Sequence, residues 1–187
     1  MALSPRLERV PLSILNCRGH NMALEIERKF LIKRIPHDTL ISMGASVKEI
    51  EQSFLLPSVD FPVRRIRKVV KEGETRYFFT QKRPARGEFS REEIESEISL
   101  KMYLELQKER DLGLNEIVKT RYVISNGKLN YEIDKFPFFD FFDVMEIELP
   151  SENALFEIPK GIEIIKEVTT DFRYTNYQLA KEIPTDF

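Results

Sequence analysis

The stretch that most constrains this chain is Glu25-Ile26-Glu27-Arg28-Lys29-Phe30-Leu31, which alternates strictly. In a strand, successive side chains point to opposite faces. Glu25, Glu27 and Lys29 therefore share one face, and Ile26, Phe30 and Ile32 the other. Two carboxylates and an ammonium on one strand face are either an ordinary solvated edge or part of a built site. A divalent metal held by the carboxylates beside an anion held by the lysine would satisfy all three.

The pattern recurs along the chain. Strands are expected over 23–33, 50–56, 63–70, 76–83, 92–99, 117–125, 129–135 and 143–149. Lys71 to Glu74 and the Asn126-Gly127 pair read as hairpin turns. Helices are expected over 37–43, closed by Gly44, over 100–112, closed by Gly113, in a short piece from Ser151, and over 173–182 with Tyr174, Tyr177 and Leu179 as anchors. Eight strands on short turns predict an α+β protein, mainly antiparallel β. The expected form is an eight-stranded closed β-barrel, a tunnel, with helices packed outside.

Composition narrows the chemistry. The chain has 187 residues, enough for one domain with a sizeable core. Its 29 basic and 31 acidic residues balance to a net charge of -2, which argues against a broad nucleic-acid surface. Cys17 is the only cysteine, so no intrachain disulfide forms and a cytoplasmic, reducing setting is natural. His20 and His37 lack zinc-ligand spacing, and neither Ser-His-Asp nor Cys-His chemistry has material to draw on. No apolar run reaches membrane-spanning length. Residues 1–21 show no periodicity and read as a flexible leader, with the folded unit, 22–187, opening at Met22. Nothing in the pattern decides for or against a homodimer.

Seven of the eight expected strands carry paired polar residues on one face. Cations sit on strands three (Arg65, Arg67), four (Thr80, Lys82) and six (Lys119, Arg121). Carboxylates sit on strands one, five (Glu93, Glu95), seven (Glu132, Asp134) and eight (Glu146, Glu148). These faces point either to solvent or into a wet tunnel. Sorting by strand, and helices with apolar stripes able to cover the other face, favour the inward arrangement. Clustered Arg and Lys suit a polyanion, clustered carboxylates a hard divalent cation, and polyphosphate with Mg²⁺ or Mn²⁺ satisfies both. Phosphoryl transfer needs mostly positioning and charge stabilisation, with no histidine or serine required.

The ordered set resembles the CYTH domain, or triphosphate tunnel metalloenzyme, family. It comprises Glu25-Ile26-Glu27-Arg28-Lys29, Arg65-Ile66-Arg67, Thr80-Gln81-Lys82, Ser90-Arg91-Glu92-Glu93, Lys119-Thr120-Arg121-Tyr122, Glu132-Ile133-Asp134, Glu146-Ile147-Glu148-Leu149 and residues 167–174. The resemblance runs from about Met22 to Pro184 and is nearest the bacterial short-chain inorganic triphosphatase-like group. It implies an eight-stranded tunnel in which Glu25, Glu27, Glu146 and Glu148, with Glu132, hold Mg²⁺ or Mn²⁺. Lys29, Arg65, Arg67, Lys82, Lys119 and Arg121 would grip the phosphates, and Arg173 would cap one mouth. Glu25, Glu27, Lys29 and Asp134 would form the catalytic set, Asp134 near a second metal or the water. Glu93 and Glu95 would orient the cations. The implied activity is metal-dependent hydrolysis of a triphosphate small molecule, inorganic tripolyphosphate first. The alternatives are a class IV-type adenylate cyclase, a thiamine or nucleoside triphosphatase, and a non-catalytic polyphosphate-binding module. The Phe-rich segment 136–142 departs from the family pattern and is expected to pack rather than to stack on substrate.

Overall fold

Alternation becomes strand wherever both faces of the sheet find something to face. A computed structural model describes residues 26–84, 91–151 and 153–185. Its elements are β1 (Ile26–Lys33), α1 (His37–Ser42), β2 (Ser46–Leu55), β3 (Val63–Lys71), β4 (Glu74–Pro84), β5 (Arg91–Ile98), α2 (Leu100–Leu106), β6 (Ile117–Asn126), β7 (Leu129–Lys135), β8 (Phe142–Leu149), β9 (Ile164–Glu167) and α3 (Asn176–Lys181). The strands form one sheet in the order β5-β4-β3-β2-β6-β7-β8-β1-β9. Every pairing is antiparallel.

Two tight turns fix the hairpin registers. Glu72 and Gly73 both take positive φ (52° and 83°) between the paired Lys71 and Glu74, as a type I′ turn demands. At the second hairpin Asn126 is itself paired, with Leu129, and the two loop residues are Gly127 (φ 65°) and Lys128. Glycine first in a two-residue loop is the II′ arrangement.

The sheet is strongly curled. Lys82 on β4 electrostatically lowers the pKa of Glu27 on β1, although six strand steps separate them in the sheet. In a flat sheet six steps of about 4.8 Å would part the strands by about 29 Å. The convex face is apolar and covered. Phe30, Ile32, Tyr122, Ile124, Tyr131, Ile133, Met145 and Ile147 are buried there with Leu40 of α1, and Ala154, Phe156, Ile158 and Ile162 pack against them. Ile66 and Phe79 meet Tyr103 and Leu106 of α2 in a second cluster.

A third cluster lies at one end of the concave face. Leu31, Phe54, Ile117 and Val144 are buried there with Phe136, Phe139, Phe142, Val168, Tyr174, Leu179 and Ala180. The Phe-rich segment therefore packs as expected, although Phe141 stays exposed.

Four expectations need correction. The sheet has nine strands rather than eight, and among the described residues no ladder joins β5 to β9, so the closed barrel is a curled open sheet. β9 was not expected because its four residues show no alternation and all are exposed. It pairs only with Phe30, Leu31 and Ile32 of β1. The last helix is shorter than 173–182 and lies inside, not outside: a 3-10 turn over Phe172–Tyr174 precedes α3, and both fill the concave end. Residues 107–109 are a 3-10 turn rather than α-helix, and Arg110 bridges to Leu55. No helix forms among the described residues after Ser151 until the 3-10 turn at Phe172. The leader, Met22, Cys17 and Glu25 lie outside the described residues. Among the described residues, no helix is long and apolar enough to cross a membrane.

Candidate active site

Strand register places the expected site residues on one surface, because residues directly opposite in an antiparallel pair share a face. Lys29 stands opposite Glu146, Glu146 opposite Glu132, and Asp134 opposite Arg121. Glu27 stands opposite Glu148. On the other limb, Arg65 is opposite Thr80, Thr80 opposite Glu95, and Lys82 opposite Glu93. The faces are joined through β2, where Gln52 is opposite both Arg67 and Ile117. All of these residues line the concave face.

One half of the surface is organised by Arg121. Its Nε donates to Asp134 Oδ1 (2.6 Å) and its Nη2 to Asp134 Oδ2 (2.6 Å) and Glu146 Oε2 (2.8 Å), while Nη1 donates to Glu132. Burial would lower its pKa, but Asp134, Glu146 and Glu132 outweigh burial and raise it. Lys29 Nζ lies 3.0 Å from both Glu27 Oε1 and Glu146 Oε1. Burial would lower Lys29 as well, and the two carboxylates raise it. Glu146 is the mirror case: burial alone would raise it, but Lys29, Arg121 and Lys119 hold it well below the usual carboxylate range. Lys119 is 3% exposed and donates to Asp134 and, at 3.4 Å, to Asn176 Oδ1 of α3. Burial first, then Arg121, push its pKa down to about 8 despite Asp134.

On the other half, Arg65 Nη2 donates to Glu93 Oε1 (3.0 Å), Lys82 pairs with the same carboxylate, and Arg67 pairs with Glu95. Thr80 Oγ1 also donates to Glu95 Oε2 (2.6 Å). Burial and the neighbouring Arg67 lower Arg65, partly offset by Glu93. Glu95 is lowered because Arg67 and Thr80 overcome its burial.

Four carboxylates, Glu27, Glu132, Glu146 and Glu148, come from the adjacent strands β1, β7 and β8. Burial, then Glu146, raise Glu27. Burial, then Glu132 and Glu27, raise Glu148. Carboxylates raised by burial and by neighbouring carboxylates, as Glu27 and Glu148 are, are relieved by a hard divalent cation, so the donor set fits one. Among the described residues no three of them already converge as ligands. Glu146 is drawn to Lys29 and Arg121, and Glu132 to Arg121.

The CYTH-domain family model matches residues 23–174. This chain belongs to the CYTH-domain family. It is 32% identical to an inorganic triphosphatase of Nitrosomonas europaea over 163 residues, 86% of this chain and 99% of the relative. The crystal structure of the inorganic triphosphatase NE1496 superposes with a TM-score of 0.53 at 28% identity, covering 89% of this chain and 99% of the other.

One expected site residue falls away from this surface. Arg173 sits in the 3-10 turn at the filled end, half exposed and held by Asp171, whose Oδ2 lies 2.7 Å from its Nη2. Glu25 lies outside the described residues. Three concave-face contributors went unremarked in the sequence: Gln52, Asn176 and Thr80's bond to Glu95. Gln52 stands between Glu51 and Ser53 in a run with no clean alternation, and Asn176 reaches Lys119 from an element far along the chain. Outside the site, His37 Nδ1 bonds the Tyr122 hydroxyl (2.7 Å), while Arg28 and Lys33 pair with Glu167 and Glu163.

Lys119 yields a testable sign. Its folded pKa of about 8 lies below its ordinary 10.5, so the unfolded chain binds the extra proton between those values. Stability attributable to this group therefore rises with pH above about 8, by at most about 1.4 kcal/mol per pH unit. Anion affinity should move the other way, because the ammonium is lost. Urea unfolding and tripolyphosphate titration at pH 7.5 and about 9.5, below the main tyrosine range, check both. Parallel changes in the two quantities would show that Lys119 does not titrate there.

Proposed function

We propose that this chain is a divalent-metal-dependent triphosphatase that hydrolyses inorganic tripolyphosphate to pyrophosphate and orthophosphate. One observation supports this most: Lys29, Arg65, Arg67, Lys82, Lys119 and Arg121 share the concave face of one curled sheet with Glu27, Glu93, Glu95, Glu132, Asp134 and Glu146, and each of these cations is ion-paired with at least one of these carboxylates. The 32% identical relative named as an inorganic triphosphatase supports the substrate.

In this reading Arg65, Arg67 and Lys82 take one stretch of the phosphate chain, and Lys29, Lys119 and Arg121 the other. Arg supplies bidentate bonds to phosphoryl oxygens, and Lys a point charge. Asp134 acts by fixing the orientation of Arg121 and Lys119, to both of which it is bonded. Glu93 and Glu95 hold Arg65, Lys82 and Arg67 in place before substrate arrives. Glu27, Glu146 and Glu148, with Glu132 and Glu25, would hold Mg²⁺ or Mn²⁺. When bound, the metal supplies Lewis-acid polarisation of phosphoryl oxygens and lowers the pKa of a coordinated water. Water attacks the terminal phosphorus, pyrophosphate departs, and the cations stabilise the charge spread over the equatorial oxygens.

The deciding experiment is orthophosphate release from tripolyphosphate with Mg²⁺, with Mn²⁺ and with chelator. Metal-dependent release that exceeds release from ATP and thiamine triphosphate is expected. Absence of release from tripolyphosphate, together with conversion of ATP to cyclic AMP, would replace this reading with the cyclase.

A further inference from the structure

Gln52 is 1% exposed, on β2, in the middle of the concave face. Its side chain is flanked across the sheet by Arg67 on one side and by Ile117 on the other, with Lys119 the diagonal neighbour beyond. Its Nε2 has no hydrogen-bond partner among the described residues. The Nε atoms of Arg65 and Arg67, on the adjoining strand, are buried and unpartnered in the same way. Three orphaned donors on neighbouring strands need a shared explanation, since buried polar groups are almost always satisfied.

The explanation lies in what the arginines do. Arg65 and Arg67 reach toward β5, where Glu93 and Glu95 engage their Nη atoms and leave each Nε idle. A glutamine directly opposite Arg67 has its Cβ about 5 Å from that of the arginine, so it lies beneath the guanidinium layer. An anion that draws the guanidiniums off the carboxylates would meet all three donors at once.

We infer that Gln52 is a phosphate-contacting specificity residue, whose amide N–H donates to an oxygen of the substrate's phosphate chain where it passes from the Arg65/Arg67 pair to Lys119. This rests on the triphosphatase reading. Being neutral, the amide adds geometric selection without adding charge. It favours a chain that continues across β2 over one that ends on the arginines. Tripolyphosphate reaches across, and orthophosphate does not.

The test is Gln52→Leu, with Gln52→Met as a second variant that keeps the length and removes the donor without adding charge. Loss of a hydrogen bond to a charged partner weakens binding roughly 10- to 100-fold. Both variants should therefore raise the KM for tripolyphosphate by about that factor, while orthophosphate affinity changes little. In thermal melts without ligand, Gln52→Leu should be at least as stable as the natural protein, because it removes an unpartnered buried donor. A glutamine with a merely structural role would give the opposite result, lowered stability with unchanged KM, and that overturns the inference. Unchanged tripolyphosphate binding in both variants, with the natural protein active, likewise overturns it and leaves the triphosphatase reading standing. A natural protein that neither binds nor hydrolyses tripolyphosphate overturns both.

Discussion

Arg121→Leu is expected to be the most destabilising single substitution on the concave face. The guanidinium alone links Glu132, Asp134 and Glu146, and Asp134 is 1% exposed. Removing one partner of a buried ionic network costs about 3–5 kcal/mol, because the remaining charges are left uncompensated in a poor dielectric. In a domain of this size each kcal/mol lowers Tm by about 2–4 °C, so the melt should move down by roughly 6–20 °C. Differential scanning calorimetry at neutral pH would check this. A variant melting within two degrees or so of the natural protein at neutral pH would mean that the carboxylates are not held together by this residue.

Glu27→Gln should do the reverse, leaving the fold intact and removing turnover. Its carboxylate is 38% exposed, and its one ion-pair partner among the described residues, Lys29, retains Glu146. Stability should change by less than about 1 kcal/mol. Metal-dependent phosphate release should fall by at least about 100-fold, the scale on which one missing charged group near a developing phosphoryl charge is felt. Tripolyphosphate binding should persist, since the cations are untouched. Steady-state release assays with a magnesium titration decide this, and wild-type turnover would remove Glu27 from the metal set.

Much of this arrangement was legible because a strand's period is two. Once Arg65-Ile66-Arg67 or Glu146-Ile147-Glu148 is read as a strand, its charges must share a face, whatever the sheet's final shape. The turn at Gly127 was legible for a similarly local reason, since few residues accept its φ. What the pattern could not give was anything decided between distant segments. β9 has no alternation to announce it and exists by pairing with three residues of β1. The tail helix has an apolar stripe that suits either side of a sheet. It lies on the concave side because Leu31, Ile117, Phe54 and Val144 interrupt the charged rows there and need cover. Gln52 was invisible because a lone polar residue in an irregular run carries no period. Its role emerges only when its neighbours across the sheet are known.

The pairing of every site cation with a site carboxylate has a further consequence. Under the proposed function the concave face would behave as an ion exchanger. Phosphate oxygens would take the carboxylate-bound Nη groups of Arg65, Arg67 and Arg121, or the Lys29 ammonium, by displacing Glu93, Glu95, Glu146 or Glu27, and the displaced carboxylates on β1 and β8 are those suited to a divalent cation. Entry of either ion therefore lowers the free-energy cost of admitting the other, a reciprocal coupling in the strict thermodynamic sense. Polyphosphate and metal would then load as a neutralising couple, and a protein with a net charge of -2 would gather a highly charged substrate without carrying a standing positive field to attract every other polyanion in solution.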